Sequence, residues 1–365
     1  MTEVFYRKYR PQKFSEFVGQ EYVVKTLTNA ISMGLISHAY LFSGPRGTGK
    51  TTLARIFAKA INCQNRKPGE AEPCGKCSSC IEISQGRSMD LIEIDAASHR
   101  GIDEVRELRD GIKFVPAKSK YKVYIIDEAH QITKEAANAL LKTLEEPPPF
   151  AVFILATTEV HKMIPTILSR CQRFEFKKLT ANEILKKLEF ICQKEKIKIE
   201  REALKLIAQN ADGSLRDAEG MLDQVATLFK DKEIKVEDIK DFLGLVEVEL
   251  CAKFVDFLIQ KDAKGAISFL NEIFEKGVDL DQFSNSLINY FRQILVSKIM
   301  GFENPFVSNL TKEEIEKLKI QAQKFSQENL KKILTIFLDA QNKMKFSPIL
   351  QLPLELAIVE ICQKI

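Results

Sequence analysis

No run of about 18 consecutive apolar residues occurs in the 365-residue chain, which excludes a hydrophobic membrane-spanning helix. Met1 to Lys8 hold no apolar segment of the kind a secretory signal carries, so the chain is expected to stay in the cytoplasm, with no membrane partner. There is no internal repeat and no low-complexity linker. Net charge is also scarce: 54 Lys and Arg against 50 Asp and Glu leave +4, too little to foretell nucleic-acid binding. Any DNA surface is therefore a local patch. Lys and Glu alternate from Lys186 to Glu202, the pattern of a solvated helical face rather than a DNA groove. What is present is ordinary for a globular protein, 45% hydrophobic and 28% charged. The length suits two or three domains with separate cores.

The first half alternates between strand and helix patterns. Ala39-Tyr40-Leu41-Phe42-Ser43 is a short apolar run that breaks at Gly44. Asp90 to Asp95 alternates and then stops at a pair of alanines. Val123 to Ile126 and Val152 to Leu155 are continuous apolar runs, as strands covered on both faces require. Arg173-Phe174-Glu175-Phe176 reads as a fifth strand. A helix over Ala136 to Leu144 ends ahead of Pro147-Pro148-Pro149. This order predicts an α/β fold, a parallel sheet with helices on both faces. Beyond Lys178 the pattern turns helical, opening on a cap at Thr180-Ala181-Asn182-Glu183. A further helical block begins near Val246. There Leu250, Phe254, Phe257 and Leu258 are expected to share one face, and Leu280 to Met300 and Gln327 to Lys345 read as long helices. The expected plan is an α/β nucleotide-binding domain over 1–178, a small helical domain over 179–244 and an all-α domain over 245–365.

Gly44-Pro45-Arg46-Gly47-Thr48-Gly49-Lys50-Thr51 follows a strand and precedes the helical run Thr52 to Ile61. This is a phosphate loop in the context the motif needs. Its glycines let backbone N–H groups face phosphate oxygens, and the helix N-terminus adds a favourable dipole. Lys50 is expected at the β- and γ-phosphates of ATP, and Thr51 on Mg²⁺. Such a loop serves kinases and motors alike. Ile125-Ile126-Asp127-Glu128-Ala129-His130 separates them: Asp127 is placed to hold Mg²⁺, directly or through water, and Glu128 to orient and activate water. A kinase excludes water and has no use for that glutamate, so hydrolysis is favoured over transfer.

Four of the eight cysteines fall between Cys63 and Cys80. Cys74-x₂-Cys77-x₂-Cys80, with Cys63 ahead, suits a closed tetrahedral Zn²⁺ site, with redox chemistry as the rival reading. Cys171, Cys192, Cys251 and Cys362 are isolated and are expected to pack in cores.

Several further strings carry a resemblance. They are Tyr9-Arg10-Pro11, Phe17-Val18-Gly19-Gln20, His38 to Phe42, Leu91 to Ser98, Leu140 to Pro148, Ile167-Leu168-Ser169-Arg170-Cys171 and Gly213 to Ala218. With the two motifs above, the chain resembles the clamp-loader family of AAA+ ATPases, in its bacterial tau/gamma branch. The likeness is nearly continuous from Tyr6 to about Gln224 and mainly architectural beyond. It implies a zinc module after the phosphate-loop helix, a sensor-2 lid and a helical collar. By position it implies that Thr158 reads the γ-phosphate, with Thr157 as the substitute. Arg170 would be an arginine finger entering a neighbouring subunit's site, an effect worth about 10³–10⁵ in rate elsewhere. Arg216 would couple the lid to nucleotide, and Arg10, Pro11 and Val18 would flank the adenine. The implied partners are other copies of the chain, delta and delta-prime subunits, the sliding clamp and primed template DNA. Ser98 and Arg100, leading into a helix at Ile102, are the expected phosphate contacts on DNA. Rival readings are a delta-prime-like subunit that does not hydrolyse ATP, a zinc-lidded phosphate-loop kinase and an unrelated remodelling motor.

Overall fold

A computed structural model describes residues 3–98, 111–112, 114–230, 232–243, 248–304, 307 and 311–364. The chain divides into two compact units, Met1–Val236 and Glu237–Ile365. The division falls ahead of the expected boundary at 244, and the α/β part and the small helical part lie within the first unit.

The first unit is built on a parallel sheet of β1 (Ala39–Ser43), β2 (Leu91–Asp95), β3 (Lys122–Asp127), β4 (Ala151–Thr157) and β5 (Gln172–Glu175), in the order β2-β3-β4-β1-β5. These are the five strands read from the sequence. Period-two geometry sends alternate residues of each central strand into opposite cores. Tyr40, Phe42, Val123, Ile125, Val152 and Ile154 pack on one face with Leu27 and Ile31 of α2 (Glu21–Met33) and Leu53 and Phe57 of α3 (Lys50–Ile61). Leu41, Tyr124, Ile126, Phe153 and Leu155 pack on the other, with Ala136, Leu140 and Leu144 of α5 (Lys134–Glu145). β1, β4 and the interior of β3 (Val123 to Ile126) are buried on both faces, which is why their sequences are nearly continuous apolar runs. Between them in the chain, α4 (Ser78–Ser84) follows the phosphate-loop helix, and α1 (Phe5–Lys8) opens the unit.

The helical part begins where Thr180 caps α7 (Ala181–Glu195), after the short α6 (Pro165–Leu168) and β5. The Thr180 N–H donates to Glu183 Oε2 at 2.7 Å and the Glu183 N–H to Thr180 Oγ1 at 3.3 Å, the expected capping box. Helices α8 (Arg201–Asn210) and α9 (Leu215–Leu228) complete it. Its core is Ile184, Leu188, Ile191, Leu204, Ile207, Leu222 and Val225. The N-terminal segment braces it. Lys8 pairs with Glu195 at 2.6 Å, the Tyr9 hydroxyl donates to the same carboxylate, and the Tyr9 ring meets Phe190 edge-on at 6.2 Å.

In the second unit, helices Val248–Ile259, Ala263–Glu275, Leu280–Met300, Lys312–Lys324, Gln327–Met344 and Leu352–Lys364 share a core around Phe254, Phe283, Phe291 and Phe337. The face expected from Leu250, Phe254, Phe257 and Leu258 is rotated. Cys251, Phe254, Val255 and Leu258 are buried, and Leu250 and Phe257 are half-buried at the rim. The true stripe follows i, i+3, i+4, i+7 spacing, which the all-round apolar helix did not single out. A buried polar chain crosses this core. Tyr290 donates to Gln321 Oε1 at 2.6 Å, and Gln321 Nε2 donates to the Ala252 carbonyl at 2.8 Å and to Asp256 Oδ1 at 2.6 Å. Among the described residues, no helix is long and apolar enough to cross a membrane.

Candidate nucleotide site and cysteine cluster

Parallel strands deliver their C-terminal ends to one edge of the sheet, where α/β folds bind ligands. Ser43 of β1 lies in register with Thr157 of β4, and Asp95 of β2 with Asp127 of β3. The phosphate loop leaves β1 at that edge and enters α3. It runs between two close neighbours. A Cβ on Gly47 would stand 1.8 Å from the Ser214 hydroxyl, and one on Gly49 would stand 2.5 Å from the Phe17 ring. Both glycines also hold positive φ, 76° and 95°, so no L side chain suits either place.

Lys50 is 6% exposed and donates to the loop's own carbonyls, Gly44 O and Pro45 O, both at 2.7 Å. Burial holds its ammonium below the usual lysine range, with Glu128 and Asp127 opposing. Thr51 Oγ1 donates to Asp127 Oδ2 at 2.7 Å, which joins the two residues expected to hold Mg²⁺. The Glu128 N–H donates to Asp127 Oδ1 at 3.0 Å. Glu128 sits in the left-handed region at φ 46°, a costly backbone for a non-glycine residue. Its carboxylate is held by Thr158, which donates to Glu128 Oε2 through its hydroxyl at 2.9 Å and its N–H at 3.3 Å. Thr157 is buried, and its hydroxyl meets His130 Nδ1 at 3.0 Å and accepts the Glu159 N–H at 3.0 Å. Of the two threonines, Thr158 is the one on the glutamate. His130 lies 3.4 Å from both Glu128 Oε2 and Glu159 Oε1, a bridging place that the Asp-Glu-Ala-His string did not reveal.

A cavity of about 1130 Å³ opens beside these groups, lined by Arg10, Pro11, Val18, Arg46 to Thr52, Asp127, Glu128 and Arg216. Arg216 from α9 lies over the Tyr6 ring at 5.1 Å. The Arg10 Nε–H donates to Thr52 Oγ1 at 3.1 Å, and burial, with Arg55 nearby, pushes its pKa down to about 10. Arg55 pairs with Glu93, while Arg10 and Arg216 bring guanidinium groups to the cavity lining, the kind of donor that suits a polyanion. Gly44, Pro45 and Thr158 are not among the lining residues. Arg170 does not line this cavity. It follows α6, donates to the Thr166 carbonyl at 2.7 Å and pairs with Glu145 at the end of α5 at 2.6 Å. Ser98 Oγ donates to Asp95 Oδ2 at 2.9 Å. Arg100 and the helix expected from Ile102 lie outside the described residues.

Cys63, Cys74, Cys77 and Cys80 come together after α3. Their sulfurs all lie within 4.8 Å of one another, and Cys74 and Cys80 are 3.9 Å apart. A tetrahedral ion with ~2.3 Å bonds to sulfur needs sulfur edges of ~3.8 Å, so the four residues fit zinc. Backbone N–H groups already face the sulfurs: Cys74 to Cys63 at 3.3 Å, Lys76 and Cys77 to Cys74 at 3.4 and 3.3 Å, and Cys80 to Cys77 at 3.5 Å. The Lys76 N–H, with that of Cys77, brings the Cys74 thiol down to about 6, whereas burial raises Cys63 and Cys80. Cys192 and Cys251 are buried and Cys171 and Cys362 half-buried, as expected of packing residues.

Comparison with known families matches three successive segments of the chain, two of them within the first compact unit. Residues 19–180 match the family described as DNA polymerase III, delta subunit, and residues 183–228 the DNA polymerase III clamp loader subunit, ATPase lid domain. Residues 234–364 match DNA polymerase III subunits gamma and tau domain III. The chain is 43% identical to DNA polymerase III subunit tau of Bacillus subtilis, over 99% of this chain and 63% of that one. It is 37% identical to DNA polymerase III subunit gamma of Buchnera aphidicola subsp. Acyrthosiphon pisum, over 100% of this chain and 99% of that one. With DNA polymerase III subunit tau of Escherichia coli the identity is 41%, over 81% and 46%. The chain thus spans less than two thirds of the tau relatives and nearly the whole of the gamma relative.

Proposed function

Because the chain belongs to the DNA polymerase III gamma/tau family, an AAA+ family of clamp-loader subunits, we propose that it is an ATP-hydrolysing motor that opens a sliding clamp and loads it on primed DNA. The observation that carries this reading is the meeting of Lys50, Thr51, Asp127 and Glu128 at one edge of the sheet, beneath a helix that brings Arg216. A subunit retained only for structure has no need of that set, which argues against the delta-prime-like reading.

Each residue has a task set by its present contacts. The Lys50 ammonium leaves the Gly44 and Pro45 carbonyls for β- and γ-phosphate oxygens, and the loop N–H groups take the remainder. Thr51 and Asp127 would hold Mg²⁺, which when bound offsets phosphate charge. Glu128 acts after its carboxylate leaves Thr158, turning toward the γ-phosphate to orient a water and take its proton. Thr158, released, is free to meet the γ-phosphate. Arg170 reaches no phosphate of its own subunit, which supports a role in a neighbour's site, as does its placement on an exposed turn. The Cys63, Cys74, Cys77 and Cys80 set would hold a structural Zn²⁺ that closes the loop after α3. Delta, delta-prime, further copies of this chain, the clamp and primed DNA are the partners proposed. DNA would be held through phosphates near Ser98 and Arg100.

The test is steady-state ATP hydrolysis with delta and delta-prime, with and without clamp and primed DNA. Stimulation by clamp and DNA that is lost with Arg170→Ala is expected. Turnover indifferent to clamp, DNA and Arg170 would remove the clamp-loading role and leave an ATPase. No turnover at all, with ATP still bound, would return the delta-prime-like reading.

A further inference from the structure

The lid helix α9 sends a second side chain into the nucleotide cavity. Glu219 lies one turn beyond Arg216, is 5% exposed and lines the cavity with Leu215, its neighbour on the same helical face. Its Oε1 has no hydrogen-bond partner among the described residues. The cation facing it is Lys187 of α7, whose ammonium donates to the Tyr9 carbonyl at 3.1 Å. A buried carboxyl oxygen left without a donor costs stability, and inside a binding cleft a ligand donor removes that cost. The missing donor does not belong to phosphate, which offers only acceptors and negative charge, and Lys50, Thr51 and Asp127 mark the phosphate end. Pro11, Val18 and Leu215 line the cavity with apolar surface suited to a flat base.

We propose that Glu219 reads the base of the nucleotide, accepting a hydrogen bond from the exocyclic amine of adenine and donating its own proton to the adjacent ring nitrogen. The inference rests on the reading of the cleft as an ATP site, and assigns it a specificity-determining residue. Burial pushes the carboxyl up to about 8, opposed by Lys187, so the neutral acid with one donor beside one acceptor is the form at hand. That pair complements adenine. Guanine presents an acceptor and a donor in the opposite sense and leaves the buried oxygen facing a carbonyl.

The experiment is equilibrium binding of the intact chain to ATP, purine riboside triphosphate (which lacks the amine) and 2′-deoxy-ATP, for the parent, Glu219→Leu and Glu219→Gln. The parent is expected to prefer ATP over purine riboside triphosphate by at least about tenfold. Glu219→Leu equalises the two, and Glu219→Gln keeps the preference, because an amide presents the same acceptor beside a donor. An unchanged ratio in Glu219→Leu overturns the proposal. A penalty for 2′-deoxy-ATP that vanishes in the leucine variant also overturns it, and assigns the carboxyl to the ribose. Failure of the parent to bind any of the three nucleotides defeats the ATP-site reading itself. Glu219→Leu removes an unpaired buried oxygen, so a thermal transition at or above the parent's verifies its fold, and the glutamine variant supplies the independent arm.

Discussion

At the scale of single residues, the candidate site is tied together by hydrogen bonds between segments far apart in the chain. The Glu128 carboxylate accepts two hydrogen bonds from Thr158, and the Lys50 ammonium donates to the loop carbonyls. Thr158→Ala keeps the backbone N–H bond to Glu128 but removes the hydroxyl proposed to meet the γ-phosphate, so turnover falls by about tenfold or more while ATP affinity stays near the parent's. Thr158→Ser, which keeps the hydroxyl, retains most of the rate, and steady-state kinetics distinguish the two. Glu219 makes a second prediction, in stability. Its carboxyl moves from 4.5 to about 8 on folding, so the folded state favours its proton. That contribution is full below about pH 4.5 and is lost as pH rises through about 8. Glu219→Leu has no such loss, so its stability advantage over the parent grows from pH 5 toward pH 9 (approximate limits set by that shift). Denaturant unfolding across the range checks it, and a pH-independent difference contradicts it. Lys50, Asp127 and Glu128 were legible because each stands in a short local string. The Thr158–Glu128 bond and the burial of Glu219 were not, since each is made by segments far apart in the chain. In isolation, Glu219 between Ala218 and Gly220 reads as an ordinary solvated glutamate of a helix.

At the scale of elements, legibility follows burial geometry. The central strands were read correctly because helices cover both faces and leave no polar alternation. Three helices of the second unit escaped. Lys312–Lys324 buries little beyond Leu318, Gln321 and Ala322, too thin a stripe for periodicity to show. Leu352–Lys364 carries Pro353 in its first turn, where proline is tolerated but reads as a breaker. Ala263–Glu275 is a third, capped by Asp262. The cysteine element is different, since spacing alone announced it. Cys77 caps α4, so its sulfur serves the cluster and the helix together. Cys77→Ser is expected to lower bound zinc from about one per chain toward none, and to raise proteolytic cleavage between Cys63 and Cys80. Metal analysis and limited proteolysis read the two effects. Full zinc content in that variant would exclude Cys77 as a ligand.

At the scale of the molecule, the two compact units have cores that share no residue: one pair of clusters flanks the sheet, and one surrounds Phe254, Phe283, Phe291 and Phe337. Each contains the apolar content of an independent domain. Separate chains of residues 1–236 and 237–365 are therefore expected to fold cooperatively on their own. The first should keep ATP binding and the second should keep its helical circular dichroism. A second unit that is unfolded in isolation would show that its core depends on the first. The sequence located the division between units only to within several residues, because helix follows helix there and no change of periodicity marks it.

The contact between Gly47 and Ser214 leaves no slack between the phosphate loop and the lid. Ser214 is the cap of α9, a rod about 21 Å long from its 14 residues. Under the proposed function, a shift of a few tenths of an ångström in the loop, as phosphate draws the lysine off its carbonyls, would therefore be passed to one end of a stiff lever. At the far end, around Leu228, the same rotation becomes a displacement several times larger. The occupancy of a small pocket would in this way become a movement at the scale of the lid, through a glycine and a serine packed too closely for a methyl group between them.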